Sequence, residues 1–264
     1  MGEIHLIPDR ERIEESLALA EEYQAVFEYN DFFSPDVLDN KKQTEQLVEF
    51  YVKQPRDRSQ DTLHGAFLDI TVHSEDRRIA EASKLRIRQS MDIAKDLGVR
   101  GVVFHTGRLA GFRVPYYIRH WIASNEVFFH EILQEYPEQQ IFMENMFDEA
   151  PDILAELAER MQDAPRFGVC LDYAHAALTD CSCEEWVKTL APYIRHIHIN
   201  DNDLRDDLHQ QIGQGSIRWQ EYHQLMQKYQ VNASVLVEIR DVEQQRKSLE
   251  YMAEQGMYPL NGSY

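Results

Sequence analysis

Short apolar runs alternate with helix-period segments along the whole chain, and this alternation predicts its organisation. Strand patterns fall at residues 3–7 (EIHLI), 25–29 (AVFEY), 62–70 (TLHGAFLDI) and 101–105 (GVVFH). Four more fall at 140–145 (QIFMEN), 167–172 (FGVCLD), 194–200 (IRHIHIN) and 234–239 (SVLVEI). Between them the period changes to that of a helix. Ile13, Leu17 and Ala20 share one face of the first such segment. A second helix is expected over 36–53, and a long third one carries Ile79, Ala82, Met91 and Ala94 and stops at Gly98. Further helices are expected over 116–134, 151–161, 184–190, 217–229 and 242–253. Eight strand–helix units in a chain of this length predict an α/β fold, a (β/α)8 TIM barrel. The alternative, a doubly wound open sheet, lacks the Gly-rich turn expected after its first strand.

No repeat, low-complexity tract or linker interrupts the pattern, so residues 1–264 read as a single domain. The apolar fraction, 43%, is enough for a sizeable core, and no apolar run reaches the ~20 residues of a membrane span. The N-terminal stretch MGEIHLIPDRER lacks the pattern of a signal peptide, and Cys170, Cys181 and Cys183 are an odd set. Together these predict a cytoplasmic protein without a disulfide framework. The net charge of −19 argues against nucleic acid as a partner, since phosphate backbones are bound by clustered Lys and Arg.

The candidate chemistry lies at the strand ends, where a barrel of this kind gathers its active residues. In order these are His64 (LHGAF), His105 (VVFHTG), Glu144 (IFMENM), Asp172 and His175 (LDYAH), His198 (HIHIND), and Glu238 (VLVEI). The loop after the seventh strand adds Asp207 and His209, spaced D-x-H, and closes with Gly213 and Gly215, which shape it. Imidazoles mixed with carboxylates suit Zn²⁺, Mn²⁺ or a similar divalent ion. Taken singly each residue has a plainer role: a hydrogen-bonded core histidine, a glutamate paired with Arg108 or Arg240, or Asp172 as a helix cap. Taken together, so many buried polar groups would need as many separate partners. His196, two residues before His198, is expected one layer deeper as a hydrogen-bonded core group.

These motifs resemble the AP endonuclease family 2, or xylose isomerase-like, TIM barrels, a group that includes endonuclease IV and many sugar and sugar-phosphate isomerases and epimerases. The resemblance implies one to three divalent ions. His64, His105 and Glu144 would hold one. Glu144, Asp172, His198 and Glu238 would hold a second, and His175, Asp207 and His209 a third. It also implies that Glu144 and Glu238 serve as catalytic acid and base on opposite faces of a substrate carbon. The expected function is therefore a metal-dependent isomerase or epimerase of a small sugar or sugar derivative. The alternatives are an endonuclease IV-like zinc phosphodiesterase acting on abasic DNA, or a lyase or dehydratase on the same scaffold. The loop NDFFSPDVLDN after the second strand is acidic and has no arginine, unlike the DNA-inserting loops of endonuclease IV-like enzymes. Phe67, Arg108, Arg113 and Arg205 are the candidate substrate-binding residues: a stacking face, and cations for a phosphate or carboxylate.

Overall fold

The computed structural model describes residues 2–260. Its strands are β1 (Ile4–Leu6), β2 (Val26–Tyr29), β3 (Thr62–His64), β4 (Gly101–His105), β5 (Gln140–Glu144), β6 (Phe167–Asp172), β7 (Ile194–Ile199) and β8 (Ser234–Val237). All pair in parallel with their sequence neighbours, and β8 pairs with β1, so the sheet closes into the expected eight-stranded barrel. The helices are α1 (Ile13–Tyr23), α2 (Pro35–Leu38), α3 (Lys41–Val52), α4 (Arg77–Leu97), α5 (Pro115–Glu135), α6 (Asp152–Arg160), α7 (Tyr173–Ala177), α8 (Cys183–Leu190), α9 (Trp219–Lys228) and α10 (Val242–Glu254). Outward strand residues such as Leu6, Val102, Ile141, Val169 and Ile197 are fully buried beneath this layer, as expected for parallel strands covered by helices. Among the described residues no helix is long and apolar enough to cross a membrane, and all three cysteines are free.

Three local expectations are corrected. First, β3 ends at His64 and does not run to residue 70. The Gly65 amide makes one last bond, to the Val103 carbonyl, and by Asp69 (φ 60°) the chain is in a left-handed turn. Second, the helix expected over 36–53 is two helices. Ser34 caps α2, with Pro35 at its first position, and Asn40 restarts the chain by accepting from the Gln43 amide. Third, the buried face of α4 is Ala80, Ser83, Ile87, Met91, Ala94 and Leu97, while Ile79 and Ala82 face solvent. Two serines explain the difference. Ser83 and Ser90 donate back to helix carbonyls and accept the loop amides of Thr71 and Ala66, so polar residues occupy the inner face and pin the loop after β3.

Register places the strand ends in step. His105 lies beside Glu144 and Asp172 beside His198. The functional groups therefore form a ring at one end of the barrel.

Candidate metal and active site

All nine expected residues meet at this ring. Glu144 stands at its centre: His105 Nε2 is 3.3 Å away, His198 Nδ1 3.3 Å, His175 Nδ1 3.6 Å and His64 Nε2 3.8 Å. Glu238 approaches His198 Nδ1 at 3.5 Å, and Asp172 approaches His175 Nδ1 at 3.5 Å. On the far side Asp207 Oδ2 lies 3.2 Å from His175 Nε2 and 3.1 Å from His209 Nε2. Most of these residues line a cavity of about 290 Å³, with Phe33, Phe67, Met146 and Phe147 as its apolar walls.

The hydrogen bonds fix which nitrogen each imidazole offers. His64 Nδ1 faces the Gly65 carbonyl (3.1 Å), His175 Nδ1 the Asn145 carbonyl (2.9 Å) and His209 Nδ1 the Glu238 carbonyl (3.0 Å). A carbonyl only accepts, so in each ring Nδ1 carries the hydrogen and Nε2 is left for the carboxylates. His198 is turned the other way. Its Nε2 is 3.1 Å from Glu28 Oε1, although poorly aligned for a hydrogen bond, and its Nδ1 faces Glu144 and Glu238.

Glu28, which the sequence reading missed, is buried at the base of the ring and held by a chain of donors. Arg100 donates to His5 Nε2 (3.2 Å) and to Ser234 Oγ (2.8 Å). His5 Nδ1 then donates to Thr62 Oγ1 (3.0 Å), and the Thr62 hydroxyl donates to Glu28 Oε2 (2.6 Å). On the other branch the Ser234 hydroxyl donates to His196 Nδ1 (2.6 Å), and His196 Nε2 donates to the same Glu28 oxygen (3.0 Å). Burial holds both His5 and His196 down at about 3, so they act as neutral relays. With Oε2 occupied twice, Oε1 is free for His198. His196 thus takes the deep core position expected of it, and His5, inside β1, joins the same network.

Ring lone pairs aimed at carboxylates repel unless a cation lies between. The structure carries that signature. Both oxygens of Glu144, Asp172 Oδ2, Asp207 Oδ1 and Glu238 Oε2 are buried without a hydrogen-bond donor. In a tetrahedral site with ~2.0–2.1 Å bonds, neighbouring ligand atoms stand ~3.4 Å apart. The separations around Glu144 and His198, 3.3 to 3.8 Å, match that spacing. Three groups of this ring have donor atoms mutually within 4.8 Å: His64, His105 and Glu144; Glu144, Asp172 and His175; and Asp172, His198 and Glu238. Burial would lower His198, yet neighbouring Cys170 and the glutamates around it raise it well above the ordinary histidine value. For His209 burial is outweighed by the hydrogen bond to Asp207 and the charge of Glu238, which lift it to about 10.

Other residues position the ring. Asp172 also caps α7 through the His175 amide (2.7 Å), so the plainer helix-capping role and the ring position coexist in one side chain. Asn145 ties β5 to β6 by exchanging two 2.9 Å bonds with the Asp172 backbone. Asp201 organises the D-x-H loop by accepting from Gly213, Ile217 and the Trp219 indole. Gly215 lies so close that a Cβ would stand 2.3 Å from Asp201 Oδ1.

The arginine candidates lie outside the ring. Arg108 is buried, paired with Asp148 (2.9 Å) and Glu149. Arg113 pairs with Asp152 at 2.5 Å, and Arg205 is exposed. Neither Glu144 nor Glu238 has an arginine partner among the described ion pairs, and Arg240 lines the cavity rim. Phe67 packs edge-on against His64 and His105, with ring centroids 5.7 and 5.2 Å away, and forms one wall of the cavity.

A family model of xylose isomerase-like TIM barrels matches residues 19–255. An uncharacterised protein of Methanocaldococcus jannaschii is 24% identical over 216 residues, covering 77% of this chain and 73% of that one. Among solved structures, a D-tagatose 3-epimerase-like protein superposes with a TM-score of 0.72 at 22% identity over 96% of each chain. A Thermus thermophilus protein soaked with zinc chloride gives 0.73 at 21%, covering 96% of this chain and 99% of that one. D-psicose 3-epimerase in the presence of D-fructose gives 0.68 at 12%, covering 98% and 99%. At these identities the structural likeness establishes the shared barrel.

Proposed function

Because the chain belongs to the xylose isomerase-like TIM-barrel family, we propose that it is a divalent-metal-dependent isomerase or epimerase of a small sugar or sugar derivative. The observation that carries this reading is the orientation of the imidazoles. Three turn a hydrogen-bearing nitrogen to a backbone carbonyl and present the other to a carboxylate, His64 to Glu144 and both His175 and His209 to Asp207, while five buried carboxylate oxygens of the ring have no hydrogen-bond donor. Those residues, with zinc or manganese and one to three ions per chain, are a chemically matched set. When bound, such an ion supplies Lewis acidity that makes a C–H beside a carbonyl easier to deprotonate.

The chain's own residues supply the rest. Glu144 and Glu238 approach His198 Nδ1 at 3.3 and 3.5 Å, and both carboxyls are held below the ordinary range, burial being outweighed by the neighbouring imidazoles. One, as the carboxylate, would take the proton from the substrate carbon; the other, having first taken up a proton from solvent, would give it to the opposite face, and the first then releases its proton to solvent. Phe33 and Phe67 keep one wall of the cavity dry and offer a flat face to a sugar ring. The cavity of about 290 Å³ suits a small polyol.

A phosphodiesterase is the second reading, favoured by the complete nine-residue ring. Against it, no cationic track stands beside the ring among the described residues: Arg108 and Arg113 pair with Asp148, Glu149 and Asp152. The deciding experiment incubates metal-loaded protein in D₂O with a panel of ketoses, beside a duplex carrying one abasic site. Deuterium uptake at carbon without DNA incision is expected. Incision with no uptake on any sugar would reverse the assignment.

A further inference from the structure

A second, larger cavity of about 670 Å³ adjoins the ring on the loops after β3 and β4. Phe67 and Met146 line both cavities, so the two adjoin across these side chains. Its rim holds large apolar side chains that the fold leaves in solvent: Leu68 and Leu109 at 61% exposure, with Phe112, Val114 and Tyr116. Apolar groups concentrated on one mouth mark a surface that something covers.

The cavity is held open by its own framework. The Tyr117 hydroxyl accepts the Leu109 amide (2.8 Å) and meets His73 Nε2 (3.1 Å). The Trp121 indole donates to the Thr106 carbonyl (3.0 Å), and Ser83 accepts the Thr71 amide (2.9 Å). Its charges weigh against an anionic occupant: Arg108 pairs with Asp148 and Glu149, leaving only its Nη1 without a partner, and Asp69 and Glu75 also line the space.

We propose that this cavity is the subsite for an uncharged apolar group, an aryl or acyl substituent, carried by the substrate whose polyol end lies between Glu144 and Glu238. The substrate class is then a sugar derivative bearing an aryl or acyl group, not a bare ketose. This rests on the isomerase or epimerase reading above, and it adds the group that the adjoining cavity selects. Burying one aromatic ring is worth roughly tenfold or more in recognition.

The test compares D-fructose with 6-O-benzyl-D-fructose on metal-loaded protein. It measures deuterium uptake from D₂O and, separately, binding by calorimetry. The benzyl derivative is expected to show at least about tenfold higher kcat/KM and tighter binding. Phe112→Ser and Tyr116→Ser should abolish that advantage while leaving turnover of D-fructose unchanged. Equal handling of both sugars would overturn the subsite and leave the isomerase reading standing. Selective binding of the benzyl derivative, lost in the variants, with no uptake on either sugar, would support the subsite and sink the reaction. Neither uptake nor selective binding would overturn both. A lower molar mass by light scattering in the variants, with sugar discrimination unaltered, would assign the rim to a second copy of the chain and overturn the proposal.

Discussion

Glu28→Gln perturbs the site without touching any of the nine ring residues. The substitution keeps the shape and removes the charge. The amide oxygen still accepts from Thr62 and His196, which approach Glu28 Oε2 at 2.6 and 3.0 Å. The new NH₂ then occupies the place of Oε1, 3.1 Å from His198 Nε2. Two donors cannot face each other, so His198 must move its hydrogen to Nδ1, the nitrogen turned to Glu144 and Glu238. A protonated Nδ1 has no lone pair to give a cation. Loss of a carboxylate behind a metal-binding histidine costs ~10–100-fold in affinity. Competition titration of zinc or manganese against a chelator should therefore show affinity weakened by about ten- to a hundredfold. Nitrogen NMR of His198 should report the tautomer change. Affinity within about twofold of the parent, in a variant with unchanged thermal stability, would refute the role given to Glu28.

Three further outcomes follow from the same geometry. Glu238→Gln should remove at least ~10²-fold of the proton exchange while the fold persists, since a general acid or base contributes about that much; full turnover would show that this carboxylate moves no proton. Gly215→Ala, whose Cβ would stand 2.3 Å from Asp201 Oδ1 and 2.4 Å from the Asn202 carbonyl, should cost ~1–3 kcal/mol by urea denaturation and loosen the loop of Asp207 and His209; a change below ~0.5 kcal/mol, the scale of an ordinary surface substitution, would refute the crowding argument. His5 and His196 stay neutral in the fold down to about 3, chiefly through burial, whereas in the unfolded chain they take up protons near the ordinary value of ~6.5. Their contribution is present above that value and is lost as pH falls towards 3, so the stability advantage of the parent over His5→Asn by urea denaturation should shrink from pH 7 to pH 5, a difference in which the opposite-sign contributions of His198 and His209 cancel; an equal advantage at both pH values would contradict it.

The barrel and its ring were legible because both obey strong local rules. Parallel strands covered by helices are continuous apolar runs, and functional groups stand where those runs end. His64, His105, Glu144, Asp172, His198 and Glu238 each close or immediately follow such a run. What the sequence hid is polar chemistry inside elements. Glu28 sits among aromatics in VFEY, and its one visible signal was a charge inside a buried strand. The inner face of α4 was misassigned because Ser83 and Ser90 are polar by composition yet satisfied by backbone groups. Arg108 is a candidate cation for a phosphate or carboxylate by its place in the loop after β4. Asp148 and Glu149, 40 and 41 residues away in the chain, take its guanidinium, and pairing at that separation leaves no mark in the pattern.

The central claim is that the ring is a divalent-metal centre. Elemental analysis of protein isolated without chelator, then reloaded with zinc or manganese and passed through a desalting column, tests it most directly. The ring predicts at least one tightly held divalent ion per chain, with occupancy falling in Glu144→Ala and Asp172→Ala while the barrel stays folded by circular dichroism. Folded protein that retains no divalent ion after reloading, or that retains it undiminished in both variants, would contradict the claim.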